Sequence, residues 1–326
     1  MRRQIGFCLL AIVLLTVSSG EAQQPAKLPT IGLLGAASAS SYAPFVEAFR
    51  QGMHDRGYVE GKNVAVEYRW AEGKYDRLPD LAAELVRLKV DVIVTHGTPG
   101  TLAAKQATAP IPIVMTVVGD PVGSGLVASL ARPGGNITGT SIFAPELGPK
   151  RSELLKEALP RVSRVAVLWN ADNPINGPTV KSIEKLAQTL KTQLQEVQVR
   201  EPSEFDKAFS SMVAKRADAL LVLEDAMLND QAKQIADRAA KSRLPTVFGF
   251  GGAVDVGGLM AYEASWPDLW RRSATFVDKI FKGAKPAELP VEQASKFQLV
   301  INLKTAKQIG VTIPQSFLFR ADKVIK

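Results

Sequence analysis

Small polar residues and glycines follow several short apolar runs of this 326-residue chain. His96, Gly97 and Thr98 come directly after one such run, and Asn170 and Glu224 each follow another. If these runs are parallel strands, the residues lie beyond the strands' carboxyl ends, where open parallel sheets bind ligands. The candidate ligand-binding residues are Ala37, Ser38, Ser41, Tyr42, His96, Gly97, Thr98, Thr101, Gly119, Asp120, Asn170, Asn173, Glu224, Asp225, Phe250 and Tyr262.

The chemistry available at these positions is the binding of a small charged molecule. Backbone amides at the start of a helix attract an anion, and Thr98 and Thr101 on either side of Pro99 would form a cradle for a carboxylate. Glu224 and Asp225 end an apolar run in the second half of the chain, where a carboxylate could pair with a ligand ammonium. The sequence therefore indicates a binding site with opposite charge preferences on its two sides.

Each of these positions also has a structural interpretation. Serine, threonine and acidic residues are frequent helix caps whether or not a ligand is present. Asp120 stands before Pro121, a pair that is typical of a turn. His96 could contact a ligand or pack as a neutral ring, and Tyr262 and Trp266 could stack on a ligand or belong to the core.

The sequence carries no motif of a familiar catalytic or metal site. It has no G-x-S-x-G elbow, no P-loop and no H-E-x-x-H, and its two histidines are far apart. Residues 123–128 match a loose G-x-G-x-x-A pattern, but this follows a late strand and lacks the acidic residue expected about 20 residues further on. We expect no enzymatic activity, no cofactor and no metal.

The N-terminus has the layout of a secretory signal peptide. A basic head at Arg2 and Arg3 precedes an apolar run over residues 5–17, and small residues lead to a cleavage position before Gln23. The run is shorter than the roughly 20 residues of a comfortable membrane span, although an uncleaved anchor helix is the alternative. We expect residues 1–22 to be removed and the mature protein to be periplasmic. The single cysteine, Cys8, lies in this segment, so disulfides and thiolate metal sites are excluded from the mature chain.

The charge distribution argues against binding to nucleic acid. The formal net charge is +8, but lysines and arginines are interspersed with acidic residues, for example between Lys62 and Asp76. A nucleic-acid footprint would instead cluster basic residues on one face. We expect a mixed, solvated surface.

Strand-like and helix-like patterns alternate along the whole chain, which predicts an α/β fold with parallel sheets. The alternation restarts near residues 143–153, and about 300 mature residues exceed what one core usually serves, so two Rossmann-like lobes are expected. The strands and helices predicted from Leu259 onward do not fit a simple second lobe, so we expect the chain to cross back between the lobes at a hinge. The expected N-terminal lobe is 29–142 plus 263–290, and the C-terminal lobe is 143–262 plus 291–326. One predicted helix covers Gly125–Ala131.

Several long strings resemble one bacterial family, the tryptophan/tyrosine-type substrate-binding proteins of ABC transporters. The resemblance implies a type I periplasmic-binding-protein fold with two lobes, three crossovers and a ligand enclosed by hinge closure. It also implies a membrane permease and an ATPase as partners, and a small ligand that is amino-acid-like or an aromatic carboxylate. The strings that carry it are Phe49–Met53, Gly57–Asn63, Tyr68–Gly73, Gly119–Val127, Ala131–Gly139 and Phe297–Leu303.

Two other functions remain open from the sequence. The same two-lobed fold serves as a ligand-sensing module of a membrane receptor, which would be distinguished by the genes beside it. An exported enzyme would need a nucleophile–base pair or a metal, and the sequence shows neither. We expect a monomer that binds a small molecule.

Overall fold

The computed structural model describes residues 28–326, so the expected signal peptide at residues 1–22, with Cys8, lies outside the described residues. The strands are β1 (Thr30–Gly35), β2 (Ala65–Trp70), β3 (Val92–His96), β4 (Ile113–Val118), β5 (Ile137–Ser141), β6 (Arg164–Asn170), β7 (Gln193–Val199), β8 (Ala219–Val222), β9 (Thr246–Phe248), β10 (Met260–Ala264), β11 (Glu292–Gln293), β12 (Phe297–Asn302) and β13 (Lys323–Ile325). The helices are α1 (Ala39–His54), α2 (Leu78–Arg87), α3 (Gly97–Ala107), α4 (Ala144–Ala158), α5 (Asn176–Leu190), α6 (Phe205–Ala214), α7 (Ala226–Asp230), α8 (Ala232–Lys241), α9 (Gly252–Asp255), α10 (Trp266–Phe281), α11 (Leu303–Ile309) and α12 (Gln315–Leu318).

The N-terminal lobe is built on a six-stranded parallel sheet in the order β11-β5-β4-β3-β1-β2. Its central strands β3 and β4 are buried over their whole length, as expected of a sheet that helices cover on both faces. Helix α10 packs on α1, and its Trp270 is fully buried. The carboxyl ends of β1, β3 and β4 therefore lie side by side at one edge of this sheet.

The C-terminal lobe is built on a seven-stranded sheet in the order β13-β12-β10-β9-β8-β6-β7. All of its pairs are parallel except β10 with β12. The strands β6 and β8 carry continuous buried apolar segments, Val165–Trp169 and Ala219–Val222. The predicted α/β architecture of two lobes with mainly parallel sheets is confirmed.

The chain passes between the lobes three times. It leaves the N-terminal sheet after β5, returns after β10 through Ser265, and leaves again between β11 and β12. The second and third crossings lie a few residues beyond the expected boundaries at 262–263 and 290–291. The reason is that β10 pairs with β9 and β12 as far as Ala264, whereas β11 still pairs with β5 of the N-terminal sheet.

The predicted helix over Gly125–Ala131 does not form, and this prediction is wrong. Two amides, those of Leu126 and Val127, donate to the carbonyl of Pro121, and Gly125 adopts a positive φ of 67°. The segment is a series of turns that still buries the Leu126 and Val127 side chains. Burial of these two apolar side chains therefore does not require a helix.

The helices of the described part of the chain all fall short of a membrane span. None within residues 28–326 is both long enough and apolar enough to cross a bilayer.

Candidate ligand-binding site

A cavity of about 40 Å³ lies between the two lobes, where the carboxyl ends of their strands face each other. The N-terminal lobe contributes the segments after β1, β2, β3 and β4 together with the start of α10, the C-terminal lobe contributes those after β6 and β8, and the crossing after β5 adds the rest. The lining residues are Ala36, Tyr75, His96, Gly97, Thr98, Pro99, Val117, Gly119, Ile142, Ala144, Asn173, Ile175, Glu224, Asp225, Ala226 and Trp266.

Three buried polar atoms in this lining have no hydrogen-bond partner in the protein. They are Thr98 Oγ1 and Trp266 Nε1 on the N-terminal lobe, and Asn173 Oδ1 on the C-terminal lobe. The three residues are 2%, 5% and 6% exposed, respectively. A buried polar group without a partner costs free energy, so most such groups in proteins are paired with protein or with water. Their convergence on one cavity indicates a place for a polar ligand.

His96 adds a neutral donor to the same wall. Burial lowers the pKa of its imidazole to about 3, so the ring carries no charge at neutral pH. Its Nδ1 accepts a hydrogen bond of 3.2 Å from Trp270 Nε1, which places the remaining proton on Nε2. The N-terminal lobe therefore presents donors, from Trp266, His96 and the Thr98 hydroxyl, and α3 begins at the same edge with its amides unpaired by the helix.

Asp225 is the centre of a hydrogen-bond network on the opposite lobe. Its carboxylate accepts from the side-chain amides of Asn170 and Asn173 at 3.2 and 3.1 Å, and it caps α7 through the amides of Met227 and Leu228. Burial raises its pKa in spite of these donors. The Nδ2 group of Asn173 donates within this network, and its Oδ1 atom remains an acceptor without a partner.

Glu224 is neutralised by a buried arginine. Arg151 of α4, which has no exposed surface, donates to both oxygens of the Glu224 carboxylate, one of them at 2.7 Å. It also donates to the carbonyls of Tyr262 at 2.7 Å and Gly249 at 3.3 Å, so it connects the segments after β8 and β9 to the middle of β10. Glu224 lines the cavity with its charge already paired.

Direct contacts join the lobes around the cavity. Tyr75 of the N-terminal lobe donates from its hydroxyl to Asp225 at 2.5 Å and accepts from the amide of Ala226 at 3.2 Å. Further out, the amide of Ser38 donates to Asp230 at 3.0 Å. These contacts hold the two edges close together around the small cavity, and two wider grooves of about 420 and 690 Å³ lie beside it along the cleft.

The structure brings seven of the sixteen sequence candidates together in the lining and places nine outside it. The seven are His96, Gly97, Thr98, Gly119, Asn173, Glu224 and Asp225. The nine that do not line the cavity are Ala37, Ser38, Ser41, Tyr42, Thr101, Asp120, Asn170, Phe250 and Tyr262.

The nine residues outside the lining have structural partners. Thr101 donates within its helix to the carbonyl of Gly97 at 2.7 Å, so the two-threonine cradle is reduced to Thr98. Asp120 accepts from the amide of Gly123 at 2.8 Å, which is the turn that its proline neighbour suggested.

The remaining members of this group support the site from behind or beside it. Tyr42 packs edge-on to His96 and Asn170 holds Asp225, while Ala37 is buried and Tyr262 stacks on Phe297. Ser38 caps α1 at the lobe contact, and Ser41 and Phe250 line a neighbouring groove along the cleft.

The sequence interpretation missed several residues of the site. Tyr75 lies in a short 3-10 turn (Tyr75–Arg77) that follows the end of β2, and Arg151 reaches the cavity edge from the middle of α4. The apolar wall, which includes Ile142 and Ile175, carried no polar signature. Inspection of the whole segment after each strand would have found Tyr75, but no sequence signal pointed to Arg151.

Comparisons with known proteins identify the family. Residues 31–325 match the family model described as ABC transporter substrate binding protein. The chain belongs to this family. A curated relative is the tyrosine-binding protein of Clostridioides difficile (strain R20291), which is 28% identical over 265 residues, 81% of this chain and 76% of the relative.

Two solved structures share the fold of this family member over both lobes. One is a conserved domain protein from Vibrio cholerae, with 28% identity and a TM-score of 0.86. The other is a Streptococcus pneumonia ABC domain in complex with L-Trp, with 28% identity and a TM-score of 0.85. Each alignment covers 91% of this chain and all of the other. The predicted type I periplasmic-binding-protein fold and the tryptophan/tyrosine-type resemblance are confirmed.

Proposed function

We propose that this chain is the extracytoplasmic solute-binding protein of an ABC importer and that it captures an amino acid between its lobes. The observation that carries the proposal is the arrangement of the unpartnered polar atoms. Unpartnered donors belong to the lining residues Thr98 and Trp266 of one lobe, and the unpartnered acceptor Oδ1 belongs to the lining residue Asn173 of the other. A zwitterion has the complementary arrangement, because its carboxylate needs donors and its ammonium needs acceptors.

The charges around the cavity favour a ligand with an ammonium group. Among the described residues that line it there is no lysine or arginine, whereas two carboxylates, Glu224 and Asp225, stand on the C-terminal lobe. Arg151 from behind the lining balances Glu224 alone. A simple carboxylate anion would meet this excess of negative charge without a cation to offset it, so an aromatic carboxylate fits less well than an amino acid.

The ligand carboxylate would be held without a charged side chain. The Thr98 hydroxyl lies in the first turn of α3, an 11-residue helix whose N-terminus points at the cavity edge. Free backbone amides and the helix dipole stabilise an anion at this position. The relatives support an amino-acid ligand, since one is named as a tyrosine-binding protein and another was crystallised with L-Trp.

Hinge closure would complete the site. A TM-score of 0.85 across both lobes requires the lobes to be placed much as they are in the L-Trp complex, which supports a closed arrangement here. Contacts such as Tyr75 with Asp225 exist only when the lobes meet. A ligand that bridges Thr98 and Asn173 would bind the closed form better than the open one, and this differential affinity drives closure.

The biological role would follow from the closed shape. We infer that a membrane permease and its ATPase recognise the closed, loaded protein outside the cytoplasm, after removal of the signal peptide. The protein would act as a monomer, without catalysis and without nucleic acid. Membership of the substrate-binding protein family supports this role.

The test is isothermal titration calorimetry of the mature protein with the L-amino acids and with their deaminated analogues, such as propionate for alanine. Thr98→Val removes the hydroxyl with little change of shape and should weaken amino-acid binding about tenfold to a hundredfold, because hydrogen bonds to charged groups contribute about 1.5–3 kcal/mol. The matched control is Thr95→Val. Thr95 is equally buried and its hydroxyl is also unpartnered, but it does not line the cavity, so affinity should be unchanged.

Two outcomes would contradict the proposal. Equal affinity of wild type for an amino acid and for its deaminated analogue would show that Asn173 and the carboxylates do not read an ammonium group. Equal loss in Thr98→Val and Thr95→Val would show that the Thr98 hydroxyl has no special contact with the ligand.

A further inference from the structure

The imidazole of His96 fills the part of the cavity wall that lies among three aromatic rings. Its ring centroid is 5.1 Å from those of Tyr42 and Trp266 and 5.8 Å from that of Trp270. The hydrogen bond from Trp270 Nε1 fixes the ring in its plane. The side chain is 8% exposed, so it cannot swing aside without breaking this packing.

The space that this wall leaves is small. The cavity volume of about 40 Å³ corresponds to about three water molecules. The space for about three water molecules is comparable with the volume of a small amino acid such as alanine or serine. A phenol or indole side chain needs far more room, since aromatic side chains bury about 150–250 Å² each.

The surrounding groups make the limit rigid on the other sides. Trp266, which is 5% exposed, stands beside His96, and Ile142 and Ile175 close the apolar walls. Gly119 approaches Ile175 so closely that an added Cβ would lie 2.6 Å from its Cγ1. In the closed arrangement the lobes therefore cannot move closer together at Gly119 and Ile175 without a clash. Moving apart would break contacts such as that of Tyr75 with Asp225.

We infer that His96 is a specificity-determining residue which, together with Trp266, restricts the site to small L-amino acids and excludes the aromatic ones. This inference rests on the proposed function of amino-acid capture. It gives this chain a different ligand class from the relatives named with tyrosine and tryptophan, because the cavity that the chain's own imidazole and indole help to line has too little room for a ligand ring.

The experiment compares calorimetric affinities of the mature wild type and of His96→Gly for two ligand groups. The small group is glycine, L-alanine, L-serine and L-threonine, and the large group is L-leucine, L-tyrosine and L-tryptophan. Wild type should bind at least one small amino acid, and every large one at least a hundredfold more weakly. His96→Gly should gain at least tenfold in affinity for a large amino acid. His54→Ala, which removes the exposed histidine of α1, is the control and should behave as wild type.

The possible results separate a failure of the size limit from a failure of the proposed function. If wild type binds a large amino acid as tightly as any small one, the size limit is overturned and the proposed function stands. If wild type prefers a small amino acid but neither His96→Gly nor His96→Ala gains affinity for a large one while remaining folded by circular dichroism, His96 does not set the limit. If none of these variants nor wild type binds any amino acid, the proposed function itself fails.

Discussion

Gly119 offers a way to test lobe closure, because it lies at a close contact between the lobes beside the cavity. It follows β4 in the N-terminal lobe, and a Cβ at this position would lie 2.6 Å from Ile175 Cγ1 in the C-terminal lobe. It would also lie 3.3 Å from the Cβ of Ala144. Gly119→Ala therefore adds an atom where the closed lobes have no room, while an open form would accept it.

The magnitude follows from the cost of overpacking. Inserting a methyl group into a close-packed contact costs about 1–3 kcal/mol, because the neighbours must shift or adopt poor rotamers. If ligand binding requires closure, the whole cost appears in the binding free energy, which is about 5- to 150-fold in affinity. The intrinsic contacts of the ligand with Thr98 would be unaltered, so the loss should fall equally on every ligand.

The assay is calorimetric titration of Gly119→Ala with the ligand found for wild type, with small-angle X-ray scattering to follow compaction. The control is Gly135→Ala in the same lobe, where an added Cβ meets no atom within 4 Å and affinity should be unchanged. Wild-type affinity and wild-type compaction in Gly119→Ala would contradict this prediction, since the close packing of Gly119 on Ile175 could not then belong to the ligand-bound arrangement.

Three further changes test individual contacts. Tyr75→Phe removes an inter-lobe hydrogen bond to a charged acceptor and should weaken ligand binding about tenfold in calorimetry, with the urea midpoint unchanged; full wild-type affinity would contradict this. Arg151→Met leaves Glu224 buried and unpaired and should lower the free energy of unfolding by about 3–5 kcal/mol in urea, whereas Arg151→Met with Glu224→Gln should recover much of the loss; an equally unstable double variant would exclude the pairing argument. Burial raises the pKa of the Glu263 carboxyl above its ordinary value of 4.5, so the folded protein binds this proton more tightly than the unfolded chain does. The contribution of Glu263 to stability is therefore complete at low pH and is lost as the pH rises from the unfolded pKa through the folded one. Glu263→Gln should therefore gain stability relative to wild type as pH rises from about 4 to about 8 in urea titrations, and parallel pH curves for the two proteins would contradict the prediction.

The edge of the molecule that carries the proposed site was predictable because it follows from strand direction. Small polar residues after apolar runs had to lie at the carboxyl ends of parallel strands, and His96, Thr98 and Asn173 do so. Helical spacing and apolar runs likewise predicted the two lobes. These signals are local, since each depends only on neighbouring residues in the chain.

What could not be predicted depends on which residues meet across the fold. Glu224 was expected to bind an ammonium, but Arg151 approaches it from a helix 73 residues earlier in the chain and neutralises it. Val117 enters the cavity wall because the pairing of β4 with β5 shifts between Met115 and Val118, where Val117 adopts a φ of 55°. Neither a long-range ion pair nor a bulge leaves a mark in hydrophobic periodicity.

The three crossings of the chain have a consequence for how the protein is made. Helix α10, which packs on α1 and carries the buried Trp270, follows β10 of the C-terminal sheet in the chain. The edge strand β11 of the N-terminal sheet follows α10. The first 142 residues to emerge from a ribosome consequently lack the helix that packs on one face of β3, β4 and β5 beside α1. Completion of either lobe waits for nearly the whole polypeptide, so we expect neither half to fold well when it is expressed as a separate fragment.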